Sequence, residues 1–228
     1  MIQSVRKLAA LVQRSPRDAI LLLVSDQPPD GARSSPATAR NRGPILEVLR
    51  SCLPRSGVVL EIAAGAGEHA VFNAAALPGL RWQPTDSDPE ALRSVAAWRD
   101  HAALPNLLPP LRLDASDPDA WPLSRADAVV NINMVHISPW AVTQGLMTGA
   151  GRILPAGGIL FLYGPYFERD VETAPSNIAF DQDLRRRNPA WGLRHLDDVT
   201  ALAAQHGLMP TQRIAMPANN LSLVFGKT

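Results

Sequence analysis

Only one of the 228 residues is a cysteine, Cys52, so no internal disulfide can form and no cysteine cluster offers zinc ligands. Its place in an apolar helical pattern marks it as a buried thiol. Net charge is nearly absent too. A formal charge of +1 gives no global field for nucleic acid, and the arginines are dispersed apart from Arg185-Arg186-Arg187, which reads as a solvated helix face. Long apolar runs are missing: Ala19 to Val24 falls far below the roughly 20 residues that cross a bilayer, and Arg14, Pro16, Arg17 and Asp18 interrupt what precedes it. There is no internal repeat and no low-complexity tract. What remains, 46% hydrophobic and 19% charged residues, suits one α/β domain with a sizeable core, expected in the cytoplasm.

Residues 1–33 read as an N-terminal extension, partly flexible, with residues 34–228 forming the domain. The extension pairs a basic start (Arg6, Lys7, Arg14, Arg17) with the apolar run and then Gln27-Pro28-Pro29-Asp30-Gly31. Its apolar part is expected to pack on the domain or a partner, with a targeting presequence as the alternative.

The run Val58-Val59-Leu60-Glu61-Ile62-Ala63-Ala64-Gly65-Ala66-Gly67-Glu68-His69-Ala70 has the pattern of a buried strand turning through a glycine loop into a helix. Gly65 and Gly67 let the backbone bend and approach a ligand, and the free N–H groups of the following helix point at negative charge. At matching distance, Leu80 to Thr85 reads as a second strand ending at Asp86, whose carboxylate suits ribose hydroxyls. Gly65-x-Gly67-x-x-Ala70 by itself fits both a dinucleotide and S-adenosylmethionine. Glu61, four residues before Gly65, favours the latter, because an acidic group there can meet the ammonium of the methionine moiety. The plainer alternative for Glu61 is a polar strand end in solvent.

From Ser35-Pro36 onward, Ile45, Leu46, Val48, Leu49, Cys52 and Leu53 recur at helical spacing. Strands are predicted near 58–63, 80–85, 107–113, 127–132 and 158–163, with helices near 68–77, 89–101 and 139–153. Such alternation implies a mostly parallel sheet covered on both faces. A further helix over 197–206 is started by Asp197 and stopped by Gly207. Strands near 208–215 and 221–226 then pair antiparallel across Pro217-Ala218-Asn219-Asn220, the arrangement of a methyltransferase sheet.

Further segments carry a family likeness. They are Ser35-Pro36-Ala37, Arg40-Asn41, Pro44-Ile45-Leu46, the glycine loop with His69-Ala70, and Trp82-Gln83-Pro84 with Asp86. Asn131-Ile132-Asn133-Met134 follows with His136-Ile137-Ser138-Pro139-Trp140, then Tyr163-Gly164-Pro165-Tyr166, Ser176-Asn177, Phe180-Asp181, Trp191-Gly192 and Met216 to Asn220. Over about residues 34–227 the chain resembles the small methyltransferase family that includes methyltransferase-like protein twenty-six. The resemblance implies a Rossmann-like class I methyltransferase, with a seven-stranded, mostly parallel sheet whose last strand is antiparallel and with helices on both faces. It implies S-adenosyl-L-methionine as cofactor and names no acceptor. The chain departs from the family pattern at Ala39 and Gly43, where acidic residues flank the Arg-Asn pair, and at His195, where aspartate is usual. Those departures bear on substrate identity and turnover.

In this fold ligands lie beyond the carboxyl ends of the parallel strands. Gly65 and Gly67 are then expected beside the methionine and ribose, Asp86 on the ribose with Ser87 in the adjoining turn, and Asp114 and Ala115 on the adenine. The alternative for Asp114 is a cap. Asn131 and Asn133 end the fourth strand beside the expected methyl position, with His136 the candidate base for an acceptor that must lose a proton. The alternative has His136 only shaping the pocket. An insertion at about 166–195 is expected to roof the acceptor, with Tyr163, Tyr166, Asn177 and Arg185 in contact and Arg40, Asn41 and Asn219 closing the mouth. The expected partner is a small organic acceptor, with no nucleic acid, no membrane span, no metal, and a homodimer left open. The competing functions are a non-catalytic S-adenosylmethionine-binding module and an NAD(P)-dependent oxidoreductase.

Overall fold

The computed structural model describes residues 28–228, so the basic start and the apolar run of the expected extension lie outside the described residues. Seven strands form one sheet: β1 (Gly57–Ile62), β2 (Leu80–Asp86), β3 (Leu111–Arg112), β4 (Ala128–Ile132), β5 (Ile159–Gly164), β8 (Leu208–Met216) and β9 (Asn220–Lys227). Their order is β3-β2-β1-β4-β5-β9-β8. β1 to β5 run parallel, and β9 is antiparallel to both of its neighbours, β5 and β8. Six strands therefore point one way and the last in the chain points the other.

The central strands are apolar on both faces because both are covered. β4, Ala-Val-Val-Asn-Ile, is buried at every position. Helices α1 (Pro36–Cys52), α2 (Glu68–Ala76) and α3 (Pro89–Ala102) bury Ile45, Leu49, Val71 and Trp98 against Val59, Trp82, Val130 and Phe161 on one face. On the other face α4 (Trp140–Ile153) and α6 (Leu196–Gln205) bury Leu146, Ile153 and Val199 against Leu60, Val129, Leu160 and Phe225. Among the described residues no helix is long and apolar enough to cross a membrane.

Two boundaries and one burial differ from the sequence reading. The strand expected over 107–113 shrinks to Leu111–Arg112 plus an isolated bridge between Leu107 and Trp82, because Pro109 and Pro110 have no N–H for the ladder. Asp197 does not start α6. His195 occupies the cap position and Asp197 lies in the first turn, where a carboxylate still favours the helix dipole. Cys52 is half-buried, with burial pushing its thiol up to about 11. The insertion contains structure that its weak apolar periodicity conceals: a two-stranded parallel sheet of β6 (Tyr166–Phe167) and β7 (Arg194–His195), and helix α5 (Pro175–Arg187).

Candidate functional site

The glycine loop leaves β1 through a run of left-handed backbone, with φ of +57° at Ala63, +57° at Gly65 and +93° at Gly67. At Gly65 a Cβ would meet nothing within 4 Å, so that side of the loop is open. At Gly67 a Cβ would lie 2.9 Å from the Val95 Cα, so this glycine lets α2 pack close to α3. Three neighbours fix the loop. The Ala64 N–H donates to the Thr85 carbonyl (2.8 Å), Ser94 donates to the Ala66 carbonyl (2.6 Å), and the Gly65 N–H donates to Asp86 Oδ2 (2.9 Å). The second Asp86 oxygen accepts from the Asp88 N–H (2.9 Å), which holds this buried carboxylate at the lip of the loop. Ser87 is exposed beside it.

Glu61 is neither at the surface nor reaching freely over the loop. It is 2% exposed, and the Trp82 indole N–H donates to its Oε2 at 2.5 Å. Burial pushes its carboxyl up to about 7 against the pull of that hydrogen bond, and neighbouring Asp86 adds to the rise. Asp114 accepts from both the hydroxyl (2.6 Å) and the N–H (2.8 Å) of Ser116 on Oδ1, which holds its carboxyl below the usual range and closes a turn, with no helix starting at Asp114. Ala115 is buried beneath that turn. Asn131 is fully buried. Its amide donates to the Ile62 carbonyl (2.9 Å), while its Oδ1 has no partner.

Past β4 the chain turns at Asn133, a left-handed residue (φ +64°) whose N–H is held by the Tyr163 carbonyl (2.9 Å). His136 follows, almost fully buried, and burial pushes its imidazole down to about 4 with the Arg194 guanidinium adding to the fall. A Cβ on Gly164 would lie 2.9 Å from His136 Nδ1 and 3.9 Å from Asn133 Oδ1, so the end of β5 stays bare to admit both side chains. The insertion closes over this turn. The Gly192 N–H donates to the His136 carbonyl (3.0 Å), Phe180 meets the imidazole edge-on at 5.6 Å, and Arg194 donates to the carbonyls of Ser138 (2.6 Å) and Ala190 (2.9 Å).

The remaining candidates separate into groups. Asn41, on the first turns of α1, lies beside the buried hydroxyl of Tyr163, whose pKa burial raises. Arg40 is exposed on the same helix. Tyr166, Asn177 and Asn219 come together around one cavity, where the Asn177 amide donates to the Asn219 carbonyl (2.9 Å). Arg185 does not line that cavity, and its Nε pairs with Asp181 Oδ2 at 2.8 Å. Sequence reasoning quoted Trp82 and His69 only as part of the family likeness, with no role for either, and did not mark Arg194. His69 is fully buried on α2, with Nδ1 lacking a partner, and burial and Arg42 push it down to about 4. Its position two residues past Gly67 was the available signal. No group of three or more His, Cys, Asp or Glu is placed to hold a metal among the described residues.

A sheet ordered 3-2-1-4-5 and closed by an antiparallel last strand, with a glycine loop after β1 and a carboxylate at the end of β2, is the Rossmann-like class I methyltransferase fold. The chain belongs to the family described as "Protein of unknown function (DUF938)", which matches residues 32–227. It is similar to an O-methyltransferase family protein from Burkholderia thailandensis, with a TM-score of 0.72 and 16% identity over 84% of this chain and 57% of that one. An O-methyltransferase family 2 protein from Planctomyces limnophilus, in complex with apigenin, gives a TM-score of 0.71 and 17% identity over 95% of this chain and 63% of that one. CalO1, a methyltransferase in calicheamicin biosynthesis in its SAH-bound form, gives 0.64 and 16% over 84% and 55%. The chain thus spans less than two thirds of the length of these three relatives. At such identities the likeness is one of fold.

Proposed function

We propose that the protein is an S-adenosyl-L-methionine-dependent methyltransferase acting on a small organic acceptor. The observation that carries this reading is the open side of Gly65 at the start of α2, with the Asp86 carboxylate fixed 2.9 Å from the Gly65 N–H. The donor set fits such a cofactor: a carboxylate at the lip for ribose hydroxyls, backbone unobstructed by any Cβ, and the free N–H groups of a helix start for the amino-acid carboxylate. Glu61 beneath the loop is the group that would meet the ammonium. The antiparallel β9 further separates this sheet from the all-parallel dinucleotide-binding order. The resemblance to the family that includes methyltransferase-like protein twenty-six supports the same reading.

When bound, the cofactor supplies an electrophilic methyl group on a cationic sulfur. The chain's own work is then alignment and exclusion of water. Asn131 and Asn133 end β4 at the rim, and the clamped turn holds His136 against Gly164. A buried imidazole with a pKa near 4 is neutral at physiological pH. It accepts a hydrogen bond from an acceptor O–H or N–H and orients it, but it is a weak base for removing the proton. The edge-on aromatic contact and the backbone contacts from residues 180–194 exclude solvent at that point.

Calorimetric titration with S-adenosylhomocysteine tests the reading. Asp86→Ala is expected to weaken binding about tenfold to a hundredfold, the equivalent of one charge-assisted hydrogen bond at about 1–3 kcal/mol. No binding to the wild type, or an unchanged affinity in the variant, overturns it. Binding of a reduced nicotinamide cofactor in its place favours the oxidoreductase.

A further inference from the structure

The insertion and the terminal hairpin enclose a cavity of about 180 Å³ at the carboxyl-end rim of the sheet. Tyr166 and Leu221 form one wall, Asn177 with Thr173 and Ala174 a second, and Ala215, Met216, Asn219 and Asn220 a third. Three independent features set it apart from ordinary surface. First, Tyr166 and Asn177 on its walls are largely buried, at 5% and 8% exposed. Second, Ala218 and Asn219 are both left-handed, with φ of +57° each, although neither is glycine. Such backbone is unfavourable for a residue with a Cβ, more so for alanine than for asparagine, and is retained where surrounding structure demands it. Third, the wall is tied together deliberately: Asn177 donates to the Asn219 carbonyl, and Arg213 closes on Glu168 with bonds of 2.9 and 2.6 Å.

We propose that this cavity is the subsite for the non-reacting end of the acceptor, and that it takes an uncharged, hydroxyl-bearing single ring. The proposal rests on the methyltransferase reading for what happens at the other end of that ligand. Size sets the first limit. A cavity of about 150 Å³ holds benzene, so about 180 Å³ takes one six-membered ring with a small substituent. Charge sets the second. An anion would face exposed Glu172 without compensation, and a cation would find the nearest shielded carboxylate, Glu168, already closed by Arg213. The side-chain amide nitrogens of Asn177, Asn219 and Asn220 already donate to the Asn219 carbonyl, to Ser176 and to the Pro217 and Ala218 carbonyls, which leaves their amide oxygens to accept from a hydroxyl over the apolar surfaces of Met216, Ala174 and Leu221. Position sets the third. Leu221 pairs with Gly164 across the sheet, and a Cβ on Gly164 would touch His136, so the cavity wall is one strand position from the reacting turn.

The test uses phenol as probe, titrated into the full chain without cofactor and followed by amide ¹H–¹⁵N chemical shifts. Saturable shifts are expected in residues 166–177 and 213–221, with benzoate at least tenfold weaker. Ala215→Trp and Ala174→Trp fill the cavity from opposite walls. Both are expected to abolish the phenol shifts while S-adenosylhomocysteine affinity stays within twofold of wild type. Absence of saturable shifts, shifts that survive both variants, or benzoate binding as tightly as phenol overturns the proposal. Phenol binding with no S-adenosylhomocysteine binding overturns the methyltransferase reading, and with it the acceptor role, while leaving a ring-binding cavity.

Discussion

Glu61→Gln isolates the free energy stored in the one carboxyl that the glycine loop rests upon. In the folded protein this group ionises near 7 instead of its ordinary 4.5. At about 1.4 kcal/mol per pH unit, that difference makes the native state about 3 kcal/mol less stable above pH 7 than it would be with an unperturbed carboxyl. The folded form binds more protons than the unfolded chain between pH 4.5 and about 7, so this contribution falls as pH rises through that window. His69 and His136 act in the opposite direction. Burial lowers each from 6.5 to about 4, so their contribution is present above 6.5 and is lost as pH falls toward 4. The raw wild-type profile therefore mixes three groups, and the diagnostic is the difference between wild type and variant. Glutamine keeps an acceptor for the Trp82 indole N–H and adds no charge. Urea unfolding at pH steps from 4.5 to 8 should show the variant gaining on wild type by about 3 kcal/mol across the window and no further above it. Parallel profiles would refute the burial of an ionisable carboxylate at this position.

Two further predictions concern the same region. Ala63→Gly is expected to raise stability by about 0.5–1 kcal/mol, because Ala63 holds φ +57° and glycine does so without a Cβ penalty; an unfolding midpoint equal to or below wild type would contradict it. Acid unfolding should begin as pH drops below 6.5, driven by the two buried histidines, and His136→Phe should remove part of that slope in the same urea series.

Strands β1, β2, β4 and β5 were legible because a sheet covered on both faces writes its central strands as short apolar runs, and β8 and β9 because the linker between them is too short for a crossover. The glycine loop was legible for the same local reason: backbone geometry is encoded where it occurs. What escaped was nonlocal. Glu61 finds Trp82 across a neighbouring strand, 21 residues away, and nothing in the intervening sequence marks a buried pair. The Arg185–Asp181 pair, by contrast, is local: the two stand four residues apart, the spacing at which a helix pairs opposite charges, and the sequence reading left that pairing unused. α5 buries only Asn177 and Leu184, so it lacks the apolar stripe by which a helix declares itself. Conversely, Tyr166, Asn177 and Asn219 were singled out separately by type and location, and the fold brings all three to one cavity.

The insertion has a mechanical consequence that follows from where its two ends are fastened. At the α5–β7 end, Gly192 and Arg194 grip the backbone carbonyls of His136 and Ser138, and Phe180 covers the imidazole. At the other end, Asn177 grips the Asn219 carbonyl, Asn219 donates to Ser176 (3.1 Å), and Glu168 closes on Arg213. The turn that carries His136 and the hairpin that walls the cavity are thus both fastened to one cover, besides their own ties to β5. Displacing the cover would break both sets of bonds together. A ligand that fills the cavity holds down both fastenings, so occupancy of the remote pocket and order at the reacting turn are linked through the same set of hydrogen bonds, and each must stabilise the other by the same free energy.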